Sequence, residues 1–167
     1  ELSLPLRHED IIRQQADDKD LDPALIAAVI YTESHFIDQT SQAGAKGLMQ
    51  LLPSTADYIA RKSGGYAFEQ GDLATPQINI AYGSWYLHYL LEKYRGSEAL
   101  ALAAYNAGPN QAKLWARMAP APGDDMFLSA INFDETKDYV RKVLNSYERY
   151  GEIYENAPPA GGVRPDP

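Results

Sequence analysis

The sequence predicts an all-α domain, or nearly so. Three observations carry the prediction. Apolar residues recur three and four positions apart through most of the 167 residues. Cap and breaker residues punctuate them at Asp22-Pro23, Gly64-Gly65, Thr75-Pro76 and Gly108-Pro109. No segment alternates apolar and polar side chains for long enough to make a convincing strand; Tyr66–Phe68 and Ala130–Phe133 are short candidates.

A first helix is expected from His8 to about Asp18, with Ile11 and Ile12 inward. The second starts after Asp22, a good N-cap, with Pro23 at its first position, and continues through Phe36. Ile26, Val29, Ile30, Glu33, Phe36 and Ile37 then share the inward face. A polar, glycine-bearing loop spans Asp38 to Lys46, and the apolar turn Gly47-Leu48-Met49-Gln50-Leu51-Leu52 leads to a helix opened by Pro53 and broken by Gly64-Gly65. Thr75 and Pro76 read as the cap and first position of a long helix through Tyr94. Its apolar residues lie almost all round, as in a helix at the centre of a domain. Gly83 would let a neighbour approach it closely. Ser97 caps an alanine-rich helix, Glu98 to about Asn106, which Gly108 and Pro109 end.

A further helix holds Leu114, Trp115 and Met118, and Pro120–Asp125 forms a loop. The last helix runs from Glu135 to about Tyr150 with Asp134 as cap. Tyr139, Val140, Val143, Leu144 and Tyr147 are its candidate inner residues. Residues 157–167 are rich in proline and glycine and read as a flexible tail or linker stub, which leaves 1–156 as one domain.

Glu33 stands out because it falls in an apolar helical stripe. Burying an ionised carboxylate costs several kcal/mol, so such a group raises its pKa or finds a partner. A carboxylic acid that stays protonated near neutral pH is what general-acid catalysis needs. The plainer alternative is a side chain that reaches the surface or pairs with an arginine.

Composition narrows the partners. Fifteen Lys and Arg against 23 Asp and Glu give a net charge of −8, which argues against nucleic acid. No apolar run is long enough to span a membrane. Without cysteine there are neither disulfides nor thiolate metal sites, and His8, His35 and His88 form no metal pattern. His35, two residues from Glu33, falls on a different helix face. The pairs Asp17-Asp18 and Asp124-Asp125 read as solvated loop charges. Twelve tyrosines and two tryptophans suit a sugar-binding groove, although most are expected in the core. The chain opens on Glu1 and shows no signal peptide, as expected of a mature or trimmed sequence whose address segment has been removed.

Four separated segments, Glu33-Ser34-His35-Phe36, Ala43-Gly44-Ala45-Lys46-Gly47-Leu48-Met49-Gln50, Ala104-Tyr105-Asn106-Ala107-Gly108-Pro109 and Glu135-Thr136-Lys137-Asp138-Tyr139-Val140, occur in this order. Together they resemble the catalytic domain of the Slt-type soluble lytic transglycosylases, relatives of goose-type lysozyme in the lysozyme-like superfamily. Pro76-Gln77-Ile78-Asn79-Ile80, with Gly83, Tyr86 and Leu87, is similar to that family's central helix. The resemblance covers roughly His8 to Tyr150. It implies a lysozyme-like helical domain with an open groove. The implied activity is that of a carbon–oxygen lyase, which cleaves the β-1,4 bond between N-acetylmuramic acid and N-acetylglucosamine in peptidoglycan and leaves a 1,6-anhydro end. By the same resemblance Glu33 acts first as acid and then as base. In the family pattern the loop between the Glu-Ser pair and the Gly-Leu-Met-Gln turn is one residue longer, which bears on loop geometry rather than on chemistry.

The resemblance also implies substrate contacts for Ser34, Met49, Gln50, Tyr105, Asn106, Glu135 and Tyr139. Each has a plainer reading. Ser34 can bond its own helix, Met49 can fill core, and Gln50 can satisfy loop backbone. Asn106 can end a helix, and Glu135 can favour a helix N-terminus. Tyr139, one turn beyond Glu135, could bond to Glu33 and help set its protonation. No metal or organic cofactor is implied. The expected partner is peptidoglycan outside the cytoplasmic membrane, and a monomer is expected. Two other functions stay open: a lysozyme that uses water, with Asp38 or Asp57 as the second carboxylate, and a wall-binding module without activity.

Overall fold

The computed structural model describes residues 4–118, 128–129 and 131–156. The expected loop at Pro120–Asp125, with Asp124-Asp125, and the tail at 157–167 lie outside the described residues. Seven α-helices are seen among the described residues: α1 (Glu9–Lys19), α2 (Pro23–Ser34), α3 (Pro53–Ser63), α4 (Pro76–Lys93), α5 (Glu98–Ala107), α6 (Pro109–Met118) and α7 (Asp134–Asn156). A 3-10 turn, Gln70–Ala74, precedes α4. No strand forms among these residues. The segment Tyr66–Phe68 is a turn, and two isolated bridges, Thr40 to Lys46 and Lys46 to Leu51, pin the loop after α2.

The helix ends follow the local chemistry. Asp22 accepts a hydrogen bond from the Ala24 amide at 2.9 Å, with Pro23 in the first turn of α2. The Ser97 hydroxyl caps α5 through the Leu100 amide at 3.3 Å. Thr75 stands at the N-cap of α4 without a side-chain cap bond. Asp134 is the first residue of α7 rather than its cap, and α7 continues to Asn156, well past Tyr150.

Helix α4 touches the most elements, packing on α1, α3, α5 and the 3-10 turn, while α2 is the most deeply buried near its start. Helix α2 packs against α1 and along α7, while α5 lies between α4, α6 and α7. Every residue from Ala24 to Ile30 is buried. The single inward stripe expected from spacing is therefore too narrow a description, because neighbours cover both sides of the helix. Helix α2 also stops at Ser34, short of Phe36. His35 and Phe36 both take left-handed backbone angles, φ 53° and 62°. This turn sends the Phe36 ring back to Tyr150, at 6.3 Å between centroids, and leaves Ile37 59% exposed rather than on the helix face.

The close approach expected at Gly83 is present. A Cβ at that position would overlap the Met49 sulfur. Met49 is thereby wedged against the central helix, and the 47–52 turn is held directly over α4.

Candidate active site

Glu33 is the penultimate residue of α2, where the helix emerges from the core. The residue as a whole is half-buried, but its carboxyl is mostly shielded from water. Desolvation raises its pKa from 4.5 to about 7. The Tyr139 hydroxyl opposes that rise, since it favours the charged form. Its geometry falls short of a full hydrogen bond, and it has no other partner. No ion pair among the described residues includes Glu33, so an arginine partner is ruled out there.

Two buried phenols flank this carboxyl. Tyr105 donates to the Met49 carbonyl at 2.7 Å. Burial pushes both Tyr105 and Tyr139 well above the usual phenol range, and the nearby Glu33 charge adds to it. Both phenols therefore stay neutral and can act as donors.

The turn beside Glu33 is built around Asn79. This α4 side chain is 1% exposed and makes three bonds. Its Oδ1 accepts from the Met49 amide at 2.9 Å, and its Nδ2 donates to the Lys46 and Leu73 carbonyls, each at 3.0 Å. Gly47 has φ 77°, and a Cβ there would collide with the Asn79 amide and the Leu73 carbonyl. Gln50, at φ 50°, closes the turn.

Glu33 opens into a cavity of about 300 Å³ that Gln50, Tyr105, Asn106 and Glu135 also line, with Tyr86, Thr55, Leu52 and the 41–45 loop completing the walls. Asn106 and Glu135 are shared with a second compartment of about 260 Å³, lined further by Thr32, Asp138, Tyr139 and Lys142. Thr55 and Tyr86 are shared with a third, of about 330 Å³, bounded by Tyr58, Arg61, Tyr89 and Lys93. The three join into one trench with Glu33 in its middle section. A larger hollow of about 490 Å³, between Tyr66, Phe68 and Tyr82, shares no residue with the trench, and Asp72 is the one carboxylate that lines it.

Five of the eight candidate residues, Glu33, Gln50, Tyr105, Asn106 and Glu135, thus line one cavity, and Tyr139 lines the adjoining compartment. Ser34 and Met49 do not line the trench. Ser34 is 1% exposed, and its hydroxyl lies 2.6 Å from the Leu48 carbonyl and 3.1 Å from that of Ile30, which ties the turn to α2. Met49 is 0% exposed beneath the turn. The Gln50 amide nitrogen donates to the Gln39 and Gly47 carbonyls, each at 2.9 Å, so the group it can offer a ligand is its Oε1 acceptor rather than a donor. Asn106 is the converse: its Oδ1 accepts from the Thr136 hydroxyl at 2.8 Å, and its Nδ2 is left to donate. Asp38 and Asp57 line none of these compartments, and Asp57 instead accepts from Gln70 at 2.7 Å. His35 is exposed, against the Tyr31 ring at 4.6 Å.

Sequence reasoning missed Thr32, Thr55 and Tyr86 as lining residues, and Asn79 and Thr136 as supports. Tyr86, Asn79 and Thr136 all stood inside the motif segments, and that was the available signal.

The transglycosylase SLT domain family matches residues 10–127. The soluble lytic murein transglycosylase of Escherichia coli K12 is 32% identical over 152 residues, which cover 87% of this chain and 23% of that protein. A transglycosylase of Enterobacteria phage PRD1 is 41% identical over 107 residues, 64% of this chain and 37% of its own. Among solved structures, an inactive Glu-to-Gln variant of lytic transglycosylase Slt from Pseudomonas aeruginosa superposes with a TM-score of 0.85 at 34% identity, over 93% of this chain and 26% of the other. The 70 kDa soluble lytic transglycosylase of E. coli gives 0.84 at 29%, over 92% and 25%. The chain therefore spans about a quarter of the length of these larger relatives.

Proposed function

The chain belongs to the transglycosylase SLT family, and from that premise we propose that it is a peptidoglycan lytic transglycosylase with Glu33 as its acid and base. The observation that carries this reading is a carboxyl in the middle of an open trench whose pKa burial has moved to about 7. At neutral pH such a group is divided between its two forms, so it can both give and take a proton.

The sequence of events is as follows. Protonated Glu33 donates to the glycosidic oxygen, and the bond from that oxygen to C1 of the muramoyl sugar breaks. The N-acetyl oxygen of the same sugar stabilises the positive charge at C1, which removes the need for a second carboxylate. The Glu33 carboxylate then takes the proton of the C6 hydroxyl as its oxygen bonds to C1. The 1,6-anhydro ring closes, Glu33 regains its proton, and no water is consumed.

Gln50 Oε1, Asn106 Nδ2 and Glu135 hold sugar groups on this reading, while Tyr105 and Tyr139 shape the surroundings of Glu33. Ser34 and Met49 act from beneath by fixing the turn. All of these residues come from one copy of the helical domain ending at residue 156. Its place of action is outside the cytoplasmic membrane, where the polymer is.

One observation favours a second reading, a lysozyme that uses water. Glu135, another carboxylate, lines the same cavity as Glu33. Mass spectrometry of digested peptidoglycan separates the two, because an anhydro end is lighter by one water. Wild type should release anhydro-muramoyl fragments, and Glu33→Gln should cut their yield by about a thousandfold while the protein still sediments with the polymer. Digests that contain reducing-end muramic acid alone would overturn the proposal in favour of hydrolysis. Binding without any release would leave a wall-binding module.

A further inference from the structure

The trench is electrically uneven. Its middle and one end hold Glu33, Glu135 and Asp138, with Lys142 as the one cation. The third compartment holds no carboxylate. It has two cations, Arg61 at the C-terminal end of α3 and Lys93 at the C-terminal end of α4. Both are exposed, and neither forms an ion pair with another described residue, in a chain whose net charge is −8. The acidic neighbour of Lys93, Glu92, reaches instead to His88 at 3.2 Å.

Between the two cations lies a stiff aromatic floor. The Tyr58 and Tyr89 hydroxyls bond at 2.9 Å, Trp85 stacks on Tyr89 at 5.4 Å with planes 7° apart, and Tyr86 lies nearly parallel to Tyr89 at 6.3 Å. Lys93 stands over the Tyr89 ring at 5.9 Å, so its charge is held beside the floor. Exposed cations flanking ring faces, next to the Glu33 cavity through the shared Thr55 and Tyr86, match a ligand that is sugar on one side and anion on the other.

We infer that this compartment selects glycan strands whose stem peptides carry free carboxylates, with Arg61 and Lys93 receiving those carboxylates while the strand lies on the tyrosine floor. The inference rests on the function proposed above and deepens it. Glu33 decides whether the bond breaks, and the far compartment decides which strands are presented. The acidic remainder of the trench repels the same carboxylates, so a strand should enter with its charged stems toward α3 and α4.

The test compares uncross-linked strands with free stem carboxylates against the same strands after amidation of those carboxylates with ammonia, which nearly keeps size and removes charge. The readout is the ratio of kcat/KM on the two. Wild type should prefer the charged strands by about fivefold, as two exposed ion pairs allow. The Arg61→Gln/Lys93→Gln double variant should bring the ratio to within about twofold of one, and 0.5 M salt should do the same to wild type. A ratio unchanged by the double variant, or a wild type indifferent to amidation, would overturn the inference. So would full retention of the preference on amidase-stripped strands, which keep only the lactyl carboxylate on the sugar. The same comparison made by binding, with Glu33→Gln protein, reads the inference without turnover. It can therefore fail while the transglycosylase reading stands, or hold while that reading falls.

Discussion

The Tyr139 hydroxyl faces the Glu33 carboxyl and has no other partner among the described residues. It acts as a brake on the rise in pKa that burial causes, because a phenol O–H donates more strongly to a charged carboxylate than to a protonated carboxyl.

Removing the brake should move the pH profile in a defined direction. On the proposed mechanism the first step needs protonated Glu33, so cleavage should fall as pH rises through about 7. Tyr139→Phe removes a group that favours the charged form, so the carboxyl should hold its proton to higher pH. The alkaline limb of kcat/KM is expected to shift upward by about half a unit to one unit, measured on soluble strands from pH 5 to 9. A downward shift would contradict the arrangement.

The carboxyl should also cost the fold stability. Folded Glu33 keeps its proton up to about pH 7, whereas the unfolded chain loses it near 4.5. Between these values the folded state binds more protons, so stability declines as pH rises through the window and stays lower above it. Glu33→Gln is expected to be more stable than wild type at pH 8 by about 2 kcal/mol, with a ceiling of about 3.5 kcal/mol at about 1.4 kcal/mol per pH unit. The advantage should vanish near pH 4. Urea unfolding at the two pH values measures the difference, and a gap that did not change with pH would point to some other source.

The wedge of Met49 against Gly83 predicts coupling between the central helix and the turn that carries Gln50. Gly83→Ala should destabilise by about 1–3 kcal/mol, because the new methyl group meets the Met49 side chain. Adding Met49→Ala should cost less than the two single changes suggest, since the clash partner has been shortened. Unfolding midpoints of the four proteins complete the cycle. Strict additivity would mean that the contact carries little force.

Much of this was legible in the sequence, and the reasons differ by element. Asp22-Pro23, Ser97 and Gly108-Pro109 act through the backbone beside them, so their effect survives any tertiary context. Glu33 was legible because a carboxylate in an apolar helix is physically unusual. Gly83 was legible because a missing side chain in a crowded helix implies a neighbour. The end of α2 was not: His35 and Phe36 turn left-handed with no glycine to announce it, and the apolar spacing of Phe36 and Ile37 mimicked a continuing helix. The burial of Ser34 and Met49, and the direction in which the Gln50 amide spends its donors, depend on how a turn closes over Asn79 thirty residues away. Local pattern carries no information about such pairings. The trench walls from Thr32, Thr55 and Tyr86 come from three different helices and exist only once those helices pack.

The left-handed pair after α2 has a consequence for how the acid is held. Non-glycine residues in that region cost on the order of 1–3 kcal/mol each, and here two come in succession, with only Ser34 between them and Glu33. The bend is held by the Phe36 ring, 3% exposed and packed near the fully buried Tyr150. On the proposed reading the proton donor is thus aimed from behind, like a sprung latch whose bolt lies in the buried core. A small loss of packing around Tyr150 would be felt as a change of aim long before it was felt as unfolding.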